Sequence, residues 1–315
     1  YATYSGSDPR RAPAVLSTIA YVEESFGAWH IKGGLGTLAT LVHERAEKVG
    51  VTFHLNAPVA SIDVKKGKAK GITLDSGEVI EADAVIANAD ASLIYNVLIK
   101  GKIRKIKKVR KNIAKADPSL AGFSLLLGMR KDGSEPLNHH TVLFPKDYDA
   151  EFDAIFTHKQ PVTEPTIYIC APRDEAMSKD ELLEGWFVLV NAPAHGQESF
   201  DWNDAEFARK YANTIIDQIE ARGISVRSRL ESITIRTPAD LESAVRAPGG
   251  SIYGTSSNGA RAAFMRAKNR SPIKGLYCVG GSAHPGGGLP LVGLSAEMVA
   301  NAIGSAQSGQ PLKSH

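Results

Sequence analysis

Apolar residues recur at helical spacing between Thr37 and Val49, where Leu38, Leu41, Val42, Ala46 and Val49 share one face. Thr37 offers an N-cap, Gly50 a stop, and Gly33-Gly34-Leu35-Gly36 leads in through a glycine-rich turn. The period then shortens to that of strands, predicted over Val51–Leu55, Val59–Val64, Gly71–Leu74 and Val79–Ala87. Gly67 and Asp75-Ser76-Gly77 mark the turns between them. Ala84-Val85-Ile86-Ala87 reads as a buried strand that ends at Asn88.

The middle of the chain has a different texture. Residues 100–111 hold eight Lys or Arg and no acid, with Ile103, Ile106, Val109 and Ile113 at helical spacing. Strand-like runs follow at Gly122–Gly128, Thr141–Phe144, Thr166–Ala171 and Trp186–Ala192. A helix is predicted over Asp204–Arg222, where Phe207, Tyr211, Ile215 and Ile219 form an i, i+4 stripe. This stretch reads as a separate layer with its own sheet, because it lacks regular β-helix-β alternation. The tail returns to the first texture, with a short buried strand at Lys274–Val279, a glycine loop, and a helix over Val292–Ile303.

Composition changes this picture little. The 315 residues are 43% hydrophobic and 23% charged, as in ordinary globular chains, and suggest about two domains. Thirty-seven basic side chains against 34 acidic ones do not imply a nucleic-acid partner, and no aromatics interleave the basic run. No apolar run reaches the roughly 18–20 residues needed to cross a bilayer. Cys170 and Cys278 each sit in an apolar run far apart, which argues for a reducing, cytoplasmic compartment over a disulfide framework.

The candidate chemistry is concentrated in Leu276–Ala296. A strand passes into Gly280-Gly281-Ser282-Ala283-His284-Pro285-Gly286-Gly287-Gly288, which delivers a helix N-terminus. Glycines let backbone N–H groups approach a ligand, and a helix start adds donors and partial positive charge. That suits pyrophosphate oxygens or the anionic edge of a reduced flavin. An ordinary glycine-rich connection has the same composition.

Residues 275–297 resemble the C-terminal flavin signature of the phytoene desaturase family of carotenoid biosynthesis. Further segments resemble that family in the same order: Tyr4-Ser5-Gly6-Ser7-Asp8-Pro9-Arg10, the turn Trp29–Gly34, Asn88-Ala89-Asp90, His139–Phe144 and Gly250–Gly254. The resemblance implies FAD and an α/β (α+β) fold, in which a doubly wound FAD-binding domain carries a β-rich substrate domain. It implies desaturation of a hydrophobic, phytoene-like polyene. A flavin-dependent carotenoid isomerase, a retinol-saturase-like enzyme, and a truncated non-catalytic lipid-binding module are the rival readings. By the same resemblance Val59 marks the strand that meets adenine, and Gly33 and Gly34 lie near the isoalloxazine. Gly280, Gly281, Ser282, Pro290, Val292, Gly293 and Leu294 line the ribityl chain and flavin edge.

One departure from the family is large. No Gly-x-Gly-x-x-Gly follows a strand, and the chain opens on Tyr1. The expectation is a C-terminal portion missing the N-terminal half of its cofactor site. Its texture divides it into part of an FAD-binding domain (1–98), a substrate domain (99–270), a return into the first domain (271–305) and a tail (306–315). Strands deprived of central partners expose apolar surface, so the chain alone is expected to form homo-oligomers or aggregate.

No catalytic residue is identifiable. His284 fits loop ordering as well as flavin positioning, and His139-His140 lacks a Cys, Asp or Glu at ligand spacing, so no metal is expected. Asp83 and Asp90 read as turn or capping residues, and Arg261, Arg266 and Arg270 as a solvated helix face. Substrate insolubility makes peripheral contact with a membrane surface the expectation, through the cations and apolar seam of residues 100–113.

Overall fold

A computed structural model describes residues 6–116, 119–133, 135–178, 180–196, 198–256 and 266–304. The chain starts with helices α1 (Ser17–Phe26) and α2 (Leu35–Lys48) and strands β1 (Val59–Lys65), β2 (Lys68–Leu74), β3 (Val79–Glu81) and β4 (Val85–Ala87). Helix α3 (Lys107–Ile113), strands β5 (Ala121–Arg130) and β6 (His140–Leu143) and helix α4 (Tyr148–Phe152) come next. Then follow β7 (Ile167–Cys170), β8 (Leu183–Ala192), α5 (Ala205–Glu220), β9 (Leu230–Arg236), α6 (Pro238–Val245), β10 (Leu276–Cys278) and α7 (Leu289–Ile303). This mixture of helix and strand is the α/β class expected. Packing divides the chain into two units, one made of Tyr1–Ser17, Leu55–Leu120 and Leu241–His315, the other of Thr18–His54 and Ala121–Asp240. Sequence texture places its boundaries elsewhere, at 98 and 270.

In the first unit β1, β2 and β3 form an antiparallel meander, and β10 pairs parallel with β4, matching Leu276 to Val85 and Cys278 to Ala87. A π-helical stretch, Leu93–Leu98, buries Leu93, Ile94, Tyr95 and Leu98 against this framework. Each large apolar side chain removed from water here stabilises the unit by about 1.5–3 kcal/mol. Burial raises the pKa of the Cys278 thiol, whose sulfur lies 3.6 Å from the Tyr95 hydroxyl, so it stays protonated and inert.

The basic segment departs from its expectation. Residues 104–106 form a 3₁₀ turn before the short α3. Ile106 is fully buried, and Ile103, Val109 and Ile113 pack on the core of the first unit. The apolar seam is therefore used inside the protein rather than offered to lipid. Arg110 is structural as well: its guanidinium donates to the carbonyls of Tyr95, Ile99 and Gly101, which the end of the π-helical stretch leaves without helical partners.

The second unit is built on an antiparallel sheet of order β6-β7-β8-β5-β9. Alternation along β5 and β8 sends Phe123, Leu125, Leu127, Trp186, Val188 and Val190 into one core. Helix α5 covers that core with Tyr211, Ala212, Ile215 and Ile219, confirming the stripe, and Asp204 caps it by accepting from the N–H groups of Glu206 and Phe207. Glu151 is wholly buried, and its carboxylate accepts from the Thr166 N–H and hydroxyl and the Asn191 amide. Burial still raises its pKa.

Two further sequence expectations change. Val51–Leu55 is a loop, because a strand needs a ladder partner and these residues have none among those described. Phe53 stacks instead on His43 at 3.8 Å. Helix α2 forms but starts at Leu35 with Gly34, not Thr37, at its N-cap; neither α1 nor α2 has a buried residue, and Leu41 and Val42 are more than half exposed. The expected tail, 306–315, lies outside the described residues.

Candidate functional site

Because β4 and β10 run parallel and in register, the loops after Ala87 and Cys278 leave the same end of the pair. The crevice beyond the carboxyl ends of parallel strands is where open α/β sheets place ligands. Asp90 organises the first loop, accepting from the Ser92 N–H at 2.7 Å and the Ser282 hydroxyl at 3.0 Å. Ser282 Oγ in turn accepts from the Ala91 N–H at 2.9 Å. The turn-residue reading of Asp90 holds, and the Ser282 hydroxyl, expected to line a flavin, is committed to tying the loops together. Asp83 lies exposed in the bend before β4.

Gly280 sits at the turn out of β10 with φ +91°, and a Cβ there would stand 2.1 Å from Asn88 Oδ1. Close approach of the two loops thus requires glycine at this position. Gly281 lends its carbonyl to Arg266 at 2.9 Å, and the same guanidinium nitrogen donates to Tyr253 O at 2.6 Å. Arg266 is buried, not solvated as its spacing suggests. Burial lowers its pKa and Asp90 opposes that shift. Arg270 is surface-exposed, donating to the Ala302 carbonyl, and Arg261 lies outside the described residues.

Sequence reasoning passes over Asn269 entirely. Its amide donates to the carbonyls of Cys278 and His284 and lies 3.0 Å from the Ser295 hydroxyl, holding strand, loop and helix together. His284 is tied on both sides of its backbone, since its N–H also reaches the Ala267 carbonyl. These bonds order the loop through the His284 backbone and leave the role of its imidazole open to either reading.

The loop delivers α7 three residues earlier than predicted, with Gly288 at the N-cap position and Pro290 in the first turn. No side chain caps this end and no acid lies in its first turn. Among the described residues, chain neighbours and the helix's own backbone aside, nothing lies within 4 Å of where a Cβ at Gly288 or Gly293 would project. Open space beside uncompensated donors is what an anionic cofactor edge needs, so the residues fit a flavin. Leu291, Leu294 and Met298 leave an exposed apolar face on the same helix, and Val292 is half-buried. Val59 opens β1, and its carbonyl accepts from Arg246 at 3.2 Å.

Gly33 and Gly34 belong to the second unit. Both adopt positive φ, +80° and +82°, and the Gly33 N–H donates to Asp174 Oδ2 at 2.6 Å. That carboxylate also meets His30 Nε2 at 2.8 Å and accepts from the Ala176 N–H. The His30 bond, then the two backbone donors, hold its pKa down at about 2. A cavity of about 870 Å³ in this unit is lined by charged groups including Asp132, Asp174, Glu184 and Arg229, a poor lining for a hydrocarbon. The β6–β7 register sets Cys170 beside His139 and His140, a third ligand that spacing along the chain does not reveal.

Three comparisons bear on this site. The family described as flavin containing amine oxidoreductase matches residues 4–185. Hydroxyneurosporene desaturase of Rubrivivax gelatinosus is 34% identical over 306 residues, 96% of this chain and 57% of its own length. Zeta-carotene-forming phytoene desaturase of Myxococcus xanthus is 34% identical over 304 residues, 94% of this chain and 56% of its own. The chain therefore spans somewhat over half the length of these curated relatives. A solved oxidoreductase from Methanosarcina mazei superposes with a TM-score of 0.62 at 18% identity, covering 90% of this chain and 58% of that one, and shares its fold.

Proposed function

This chain belongs to the flavin-containing amine oxidoreductase family, whose cofactor is FAD, and from that premise we propose that it is the C-terminal part of an enzyme desaturating a long, phytoene-like acyclic polyene. One observation carries the reading: identity to carotenoid desaturases runs through both units, not through the flavin-binding elements alone. The family-wide match ends at residue 185, whereas identity to carotenoid desaturases covers 96% of the chain, which supports a shared substrate class.

In this reading Val59, Gly280, Gly281, Pro290, Val292, Gly293 and Leu294 of the first unit hold the cofactor, and Ser282 fixes the loop that presents them. Bound FAD supplies the two-electron acceptor that removal of hydrogen from an allylic carbon requires. The chain supplies orientation and electrostatics. The start of α7, with no acid in its first turn, would offer backbone donors and partial positive charge to an anionic cofactor edge. The apolar face of α7 excludes water and matches a hydrocarbon. Arg266 and Asn269 touch neither reactant in this scheme, and they position the glycine loop.

The test compares this chain alone with the longest reading frame containing it. Each is given FAD, an electron acceptor and phytoene or a hydroxylated acyclic carotene in liposomes. The longer protein is expected to be yellow and to yield products two hydrogens lighter. The chain alone is expected to self-associate and to retain no flavin. A colourless longer protein removes the flavin assignment, and a product of unchanged hydrogen count makes the enzyme an isomerase.

Among the described residues no helix is long and apolar enough to cross a membrane. We infer that the enzyme meets the bilayer peripherally through the exposed cations of residues 100–111, by electrostatics alone, since their apolar neighbours are buried. Each Lys near anionic headgroups contributes about 1 kcal/mol. Changing Lys102, Lys107, Lys108 and Lys111 to Gln is therefore expected to abolish flotation with anionic vesicles, while Arg110, which has a structural task, is left intact. Flotation that survives the four changes would remove this segment as the anchor.

A further inference from the structure

The search outside the flavin site converges on one cluster in the second unit. His139 and His140 stand at the start of β6, and His140 is the cross-strand partner of Cys170 at the end of β7. The ligand atoms of all three lie within 4.8 Å of one another. The imidazoles of His139 and His140 are 4.4 Å apart between centroids, and His30 adds a third ring 5.0 Å from His139. Nothing in the flavin chemistry uses these groups.

We propose that His139, His140 and Cys170 form a binding site for a divalent transition metal of borderline softness, with Zn²⁺ as the expected occupant. The donor set argues for this class. Two imidazoles and a thiolate match Zn²⁺, whereas hard cations such as Mg²⁺ and Ca²⁺ take oxygen ligands. Three protein ligands leave one tetrahedral position for water or another small ligand.

The geometry is close to closure. Bond lengths of about 2.0–2.3 Å place tetrahedral ligand atoms roughly 3.3–3.6 Å apart. The present spacing is reached from there by side-chain rotation, while the β6–β7 ladder keeps the backbones in register. His140 also has a supporting partner: its Nδ1 lies 2.8 Å from the Tyr168 hydroxyl, which directs Nε2 to the cation. His30 is engaged with Asp174 through Nε2 and stands behind His139 as a neighbour. Such a site pins the β6 edge of the sheet to β7.

Cobalt is the probe, because tetrahedral Co²⁺ with a thiolate ligand gives a sulfur-to-metal charge-transfer band in the near ultraviolet and intense visible bands. Titrating the reduced, purified chain with Co²⁺ is expected to raise both bands to saturation at one equivalent, and Zn²⁺ is expected to bleach them. Cys170→Ser is expected to abolish the charge-transfer band. His139→Gln and His140→Gln are each expected to weaken binding at least tenfold, and Cys278→Ser to change nothing. Circular dichroism identifies variants that have lost their fold, and the two histidine changes then carry the test independently of the cysteine. Absence of a thiolate band in the folded parent protein, or its persistence in Cys170→Ser, overturns the assignment.

Discussion

Replacing Gly280 by alanine is expected to destabilise the protein by roughly 2–4 kcal/mol and to strip flavin from the longer enzyme. Two costs combine. An L-residue held at φ +91° loses about 1–2 kcal/mol relative to glycine, and the new methyl group would overlap Asn88 Oδ1 at 2.1 Å. Relief requires the Asn88 side chain to swing out of its place between the two loops, or the loops themselves to part, which pulls Ser282 from Asp90 and Ala91. Gly281→Ala is the informative contrast, since a Cβ there meets only Gly287 Cα at 3.4 Å, an ordinary contact. That variant is expected to keep its melting temperature within a few degrees, yet to lose flavin if Gly281 lines the cofactor. Thermal melts and the ratio of flavin to protein absorbance separate the two effects. Equal stability of the two variants would contradict the role given to Gly280.

Phe123→Ala is expected to cost about 3–5 kcal/mol, the range for deleting a buried phenyl ring. Phe123 is fully buried in β5, an interior strand between β8 and β9, with ring centroids 5.0 Å from Tyr211 and 5.5 Å from Trp202. Trp202 lies within an aromatic cluster that includes Phe200 and Phe207, so the cavity opens where several rings depend on one another. At about 2–4 °C per kcal/mol for a unit of this size, melting falls by roughly 10 °C. Near-ultraviolet circular dichroism and Trp202 fluorescence report the transition directly. A shift of less than about 2 °C would mean that the sheet and α5 do not share the packed core described here.

Much of the second unit is legible along the chain because its signals are local. Phe207, Tyr211, Ile215 and Ile219 write the buried face of α5, and Asp204 writes its start. The predicted strands at 122–128, 141–144, 166–171 and 186–192 all form. The mostly exposed β9 escapes notice, because Leu230–Arg236 shows no long apolar run and owes its place to pairing with β5. The basic run of residues 100–111 misleads for a related reason. Its period shows an apolar seam but not what the seam faces, and here it faces the core.

The glycine loop is the part of the candidate site that the amino-acid order determines by itself, since a strand, a run of glycines and a helix start are consecutive along the backbone. The same order determines the parallel pairing only in outline, as two short apolar strands. The junctions were decided by tertiary structure. Ser282 meets Asp90 across 192 positions, and the Gly33 N–H meets Asp174 across 141. Arg266 exchanges a solvent-facing role for burial against the carbonyls of Tyr253 and Gly281. Cys170 joins His139 and His140 only because β6 and β7 pair in one register, and a slip of one residue would turn Cys170 to the opposite face. Local backbone preference can be read from neighbours in sequence. Which polar groups satisfy one another after burial depends on which distant segments the cores have already brought together.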